Sequence, residues 1–142
     1  MRPAPAIEAL AGLTFNGVAF AAGMAMFDFG PKTPKLLRYG PRKGETILLG
    51  SHGLHVQCPW RMLRWSGVLA DSDGALVPGV VEPVVGNVVE SVVGVDGTVA
   101  IMLGDFSLEV SPDGYEGEQW RLLTQDPEQD HLVFGGDYDA AG

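Results

Sequence analysis

Gly53–Trp65 reads GLHVQCPWRMLRW. It holds a histidine, a cysteine, two tryptophans and two arginines, so it is either a reactive site or a piece of buried sheet. Parity decides between them. In a strand, successive side chains point to opposite faces. Leu54, Val56 and Cys58 then share one face, and His55 and Gln57 the other. The apolar set belongs to a core, where a cysteine behaves as a small, inert hydrophobe. A zinc centre needs four ligands converging at about 2.0–2.3 Å. Along a strand His52 and Cys58 lie about 20 Å apart, at roughly 3.3 Å per residue. His55 points away from both, and the sequence adds only His131 and no second cysteine. Neither a metal nor a cofactor is expected. A Cys58–His55 nucleophile pair fails on the same parity, and only folding could bring His131 close. No catalytic residue is assigned.

Working outward, the chain repeats itself. The WR pair with two large apolar residues after it returns as Trp120–Leu123. Upstream of each lies a short alternating run, Leu54–Val56 and Leu108–Val110. Downstream lie VLADSD, Val68–Asp73, and LVFGGD, Leu132–Asp137. Further upstream, LTFNGVAFAAGMAMFDFG and VVESVVGVDGTVAIMLG each read as strand, tight turn, strand. Asp96-Gly97 is a strong two-residue hairpin signal, and Ala22-Gly23 a weaker one. The expectation is a single domain over 1–142, with one repeat at about 13–73 and a second at about 88–137. The Pro- and Gly-rich GALVPGVVEPVVG links them.

The fold class expected is mainly β. It is an antiparallel sandwich or half-open barrel built from two tandem repeats of a four-stranded unit, with one or two short helices. One helical turn or two fits Pro3–Leu10. Thr33–Gly40, TPKLLRYG, has the cap chemistry of a short helix, with Thr33 as N-cap, Pro34 at the first position and Gly40 past the end.

Eighteen acids against nine Lys and Arg give a net charge of -9. That balance argues against nucleic acid as the main partner. No apolar run approaches the roughly 20 residues that span a bilayer, so no membrane partner is expected. The N-terminal stretch reads as mature, cytoplasmic protein, because Glu8 and Asn16 interrupt its apolar character.

The Trp60-Arg61 and Trp120-Arg121 pairs admit two readings. In the structural one, a Ser66-Gly67 turn pairs Trp65 with Val68 and sets Arg61 opposite Ser72, beside Asp73. Arg121 would meet Asp137 in the second copy. An Arg–carboxylate fork is the gain. In the functional one, all four residues line a pocket between the repeats that binds an anion or a small molecule. Asp71–Glu82 fails as a calcium loop, since Ala75 and Leu76 stand where a ligand and a glycine are needed. Phosphate-loop and nucleophile-elbow patterns are missing too.

The segment 30–50 has no counterpart in the second repeat. Five cations gather there: Lys32, Lys35, Arg38, Arg42 and Lys43. It is either a solvated loop or a docking element, with Leu36, Leu37 and Tyr39 as anchors and the cations steering toward an acidic partner.

LHVQCPWR, with GEQWRLL and HLVFGGD, resembles a family of small, uncharacterised bacterial proteins common in actinobacteria. Some of its members look like immunity proteins of toxin systems. The resemblance implies a non-enzymatic protein that acts by contact with another protein, and it carries over no catalytic residue. A small-molecule binder or enzyme, and a homo-oligomeric structural component with a sticky Val80–Val95 run, are the alternatives.

Overall fold

The computed structural model describes residues 6–21, 23–65, 67–74, 79–113, 117–125 and 131–135. The protein is mainly β. Its strands are β1 Phe15–Ala21, β2 Met24–Phe29, β3 Thr33–Leu36, β4 Thr46–Leu49, β5 His52–Val56 and β6 Trp60–Arg64. They continue with β7 Gly67–Asp71, β8 Ser91–Val95, β9 Thr98–Leu103, β10 Phe106–Val110, β11 Glu118–Thr124 and β12 Leu132–Gly135. A single 3-10 turn, Ile7–Leu10, is the helix among the described residues.

All pairings are antiparallel, and the strands form two five-stranded sheets that do not close into a barrel. Sheet one runs β1-β2-β5-β11-β12 and sheet two β7-β6-β10-β9-β8. β3 and β4 pair only with each other, as a separate ribbon. The expected four-stranded unit is therefore corrected. The chain leaves sheet one after β5 and enters sheet two at β6, then returns between β10 and β11. At the first crossing the β5–β11 ladder runs one step past Val56, with the Gln57 amide donating to the Gln119 carbonyl at 2.8 Å, and Pro59, which has no N–H to donate, follows.

The face assignment read from Gly53–Trp65 holds. Leu54, Val56 and Cys58 are buried, Gln57 is exposed and His55 half-buried on the other face. The core draws on both sheets: Phe15, Phe27, Leu54 and Leu122 from one, Met62, Ile101, Leu103 and Leu108 from the other. Burying each such side chain contributes about 1.5–3 kcal/mol. Asp96 and Gly97 have φ of 52° and 85°, the doubly positive pattern of a tight hairpin turn, and Val95 pairs with Thr98 as that turn requires. Ala22, of the other expected turn, lies outside the described residues, though Ala21 pairs with Met24 across it.

The helix expected at Thr33–Gly40 is not formed. Thr33–Leu36 is strand β3, in register with the β-branched and apolar run Thr46–Leu49. Capping signals are a weak prior, and a cross-strand partner overrides them. The ribbon is closed by Leu37 N–H donating to Glu45 O at 2.9 Å and Gly44 N–H to Leu37 O at 2.8 Å.

Both roots of the ribbon are pinned. Asn16 Nδ2 donates to Asp28 Oδ2 at 2.9 Å and to the Gly30 carbonyl at 2.8 Å. The Gly50 amide donates to both carboxylate oxygens of Asp28 at 3.1 Å. A Cβ on Gly50 would collide with the Phe29 carbonyl and stand 2.8 Å from Asn16 Nδ2 and Asp28 Oδ2. Gly50→Ala is expected to cost about 1–3 kcal/mol through overpacking. Asp28→Ala, which strands the Gly50 amide, is expected to cost a similar amount, about 1–3 kcal/mol. Urea unfolding of the two variants checks both.

Candidate functional site

The two WR strands alternate as strands must. Trp60 and Trp120 point inward, Arg61 and Arg121 outward. Trp60 meets Phe27 edge-on at 5.1 Å between ring centroids and stacks on Phe20 at 6.2 Å. Trp120 stacks on Phe134 at 5.8 Å, and its Nε1 donates to the Gly97 carbonyl at 2.8 Å. The arginines are held by neighbours. Arg61 Nε lies 2.6 Å from Glu109 Oε1, directly across the ladder. Arg121 Nη2 lies 2.7 Å from Glu118 Oε1. Trp60, Arg61, Trp120 and Arg121 thus occupy two faces of two sheets.

The Arg61–Asp73 fork is corrected. A register shift between Met62 and Leu63 sets Arg61 opposite Asp71, and Arg64, not Trp65, closes on Gly67. Asp137 lies outside the described residues. Trp65, with φ of 51°, stands 76% exposed beneath the Arg64 guanidinium, which sits 4.4 Å from its ring centroid.

An open cavity of about 470 Å³ lies beside Trp60. Phe20 and Trp60 form its aromatic wall, and Asp71, Asp73 and Asp113 its acidic rim. Cys58 lines it as well, and burial pushes the thiol up to about 11. The two ladders differ in the residue across from each tryptophan. Opposite Trp120 in its ladder stands Phe134, which fills the space over Gly97. Opposite Trp60 stands Ser72, whose N–H donates to the Trp60 carbonyl at 3.0 Å and whose hydroxyl accepts the Trp60 N–H at 3.1 Å. The sequence showed Asp71 only in a failed calcium loop, and Asp73 there and as the expected partner of Arg61. Asp113 carried no signal, because its place depends on the second crossing. Among the described residues no cluster of three or more His, Cys, Asp or Glu is arranged to hold a metal ion.

The ribbon residues are a second surface. Tyr39 is 87% exposed and Leu48 64% exposed, and Leu36, Lys32, Lys35, Arg38, Arg42 and Lys43 also face solvent. Leu37 is half-buried. Arg42 pairs with Glu45 at 2.8 Å. Of the Val80–Val95 run, Val81, Val84 and Val89 enter the core, while Val85, Val88, Val93 and Val95 stay exposed. β8 is the sheet edge, and the Ile7 side chain lies against it at Gly94.

On the outer face of sheet one, Met26, His55, Arg121 and Val133 stand in one cross-strand row. Burial lowers the His55 pKa first, and the nearby Arg121 lowers it further. Glu118 acts in the opposite direction, and His131 lowers it too. Burial alone lowers that of His52. No helix among the described residues is long and apolar enough to cross a membrane. No protein family, curated protein or solved structure matches the chain.

Two outcomes follow from these environments. The folded-state histidines hold protons less tightly than the unfolded ones, so acid favours the unfolded state. Stability is expected to be flat between about pH 6.5 and 8 and to fall as pH drops from there toward the lowered folded histidine values. Urea midpoints at a series of pH values would show this, and His55→Gln should flatten the slope. Cys58 should also resist a disulfide reagent at neutral pH and react fast only in denaturant, because the thiolate is the nucleophile. Absorbance of the released thiol measures it.

Proposed function

We propose that the chain is a non-enzymatic binding module that engages an acidic protein surface through the β3–β4 ribbon. One observation carries this reading: Leu36, Tyr39 and Leu48 lie exposed on a ribbon whose strands pair with neither sheet. A lone two-stranded hairpin is marginal in water, yet this one is anchored at Gly30 and Gly50 by Asn16 and Asp28. Residues 30–50 hold five cations against Glu45 alone, and the rest of the chain holds four cations against seventeen acids. Apolar anchors ringed by like charge suit a partner of opposite charge, with the charges setting encounter rate and the anchors affinity. The carboxylates beside Trp60 argue against the anion-binding alternative.

The frame that presents the ribbon reads, in this proposal, as a tandem duplication with exchanged ends. Trp120 pairs with Val56 just as Trp60 pairs with Val110, and Leu122–Leu54 matches Met62–Leu108. β1-β2-β5 then corresponds to β8-β9-β10, and β6-β7 to β11-β12. Each sheet combines three strands of one copy with two of the other. An immunity role, which the family resemblance suggests, would be one form of this contact.

A photo-crosslinking residue at Tyr39, introduced in the protein's own cells, tests the reading. The expected adduct is with a protein of acidic surface, and Lys35→Glu with Arg38→Glu should abolish it. Adducts that survive this charge reversal, or none at all, would refute it.

A further inference from the structure

The cavity beside Trp60 and the ribbon are chemically complementary. The cavity is lined by the exposed ring of Phe20, stacked on the buried Trp60, and by Asp71, Asp73 and Asp113, with Asp71 Oδ1 accepting the Asp73 and Gly74 amides. An aromatic face with carboxylates at its edge is the environment that holds a guanidinium or ammonium group. The ribbon presents such groups on exposed side chains, Lys35 and Arg38 beside Tyr39.

Their placement says how they could meet. β2 joins the two features: Met24 at its start lines the cavity, and Phe29 at its end leads into the ribbon. Six residues of strand separate them by roughly 17 Å at about 3.3 Å per residue. No ribbon residue lines the cavity of its own chain. We infer that the acidic partner of the ribbon is a second copy of this chain, whose cavity beside Trp60 receives the ribbon's cations. This deepens the ribbon reading and rests on it.

Donor and acceptor surfaces sit at opposite ends of sheet one, so the contact is head-to-tail. Such a heterologous interface leaves each molecule with one surface unused, and association continues into rings or open chains. The body carries four cations against seventeen acids, and the ribbon reverses that balance. Two copies approaching body to body repel, whereas ribbon to body attract. Ser72 admits the incoming group at the place where Phe134 closes the corresponding space beside Trp120.

Sedimentation velocity on purified protein, with two single-surface variants, tests the inference. Wild type should associate progressively with concentration at low salt. Association should weaken by about tenfold or more when salt shortens the Debye length to a few ångströms. The ribbon variant Lys35→Glu/Arg38→Glu and the cavity variant Asp73→Lys/Asp113→Lys should each be monomeric alone. Mixed, they should give a dimer and nothing larger, because each supplies the surface the other lacks and the pair has no free end. Ser72→Phe, which copies the Trp120–Phe134 stack, is the second cavity variant and should replace Asp73→Lys/Asp113→Lys in the same mixture if that one misfolds by circular dichroism. Wild type that stays monomeric at all concentrations overturns the inference, as does a mixture with no dimer. If the chain is monomeric but the Tyr39 crosslink still captures a different acidic protein in a charge-dependent way, self-docking is wrong and the ribbon reading stands.

Discussion

The fold depends on two places where the chain passes from one sheet to the other. At the first, Gln57 and Cys58 both donate backbone N–H groups to the Gln119 carbonyl, at 2.8 and 3.2 Å. At the second, the Ser111 amide donates to Pro59 O at 2.8 Å. These bonds tie each crossing to the other. They also fix which strand meets which, because Trp120 can then pair only with Val56, and Trp60 only with Val110. Side chains alternate along a strand, so a slip of one residue would turn Leu54, Met62, Leu108 and Leu122 out of the core together. Register and burial thus enforce each other, and sheet one is not complete without strands from both ends of the chain.

Much of this was legible in short-range patterns. The faces of Leu54, His55, Val56 and Cys58 follow from parity alone. The Asp96-Gly97 turn follows from the need for two positive φ values. Local rules failed where a distant segment made the choice. Thr33-Pro34 has good helix-start chemistry, yet Thr46–Leu49 offers it a strand partner and wins. The Arg61 register differs by one because the turn closes at Arg64–Gly67, two steps from the expected pairing, and a bulge between Met62 and Leu63 restores one of them. The sheet exchange was hidden because Pro59, which marks the crossing, reads equally well as an ordinary break between strands of one sheet.

The polar contacts divide in the same way. Arg61 and Glu109 face each other across a ladder, and the pair could be named once the β6–β10 register was known. Their exposure keeps the contribution small, on the order of 1 kcal/mol or less. Asn16, Asp28 and Gly50 set where the ribbon leaves the body. Asp28 accepts from a backbone amide 22 residues away in sequence. Only the folded arrangement brings these groups together, so no spacing rule finds them.

Where the two halves of the chain differ says more about function than where they agree. The matching ladders around Trp60 and Trp120 are what any pair of packed sheets would need for burial. The departures serve no such need. One is the ribbon, a charged hairpin that adds exposed apolar surface and contributes no strand to either sheet. The other is Ser72, which stands across from Trp60 where the opposite ladder has a phenylalanine, so that Trp60 takes its stacking partner from Phe20 instead. Exposed leucines and a tyrosine forgo burial. The ribbon is basic and the cavity that Ser72 borders is lined by carboxylates, and the two lie at opposite ends of β2. In the head-to-tail contact proposed above, each would be covered when the other, on a neighbouring molecule, reached it.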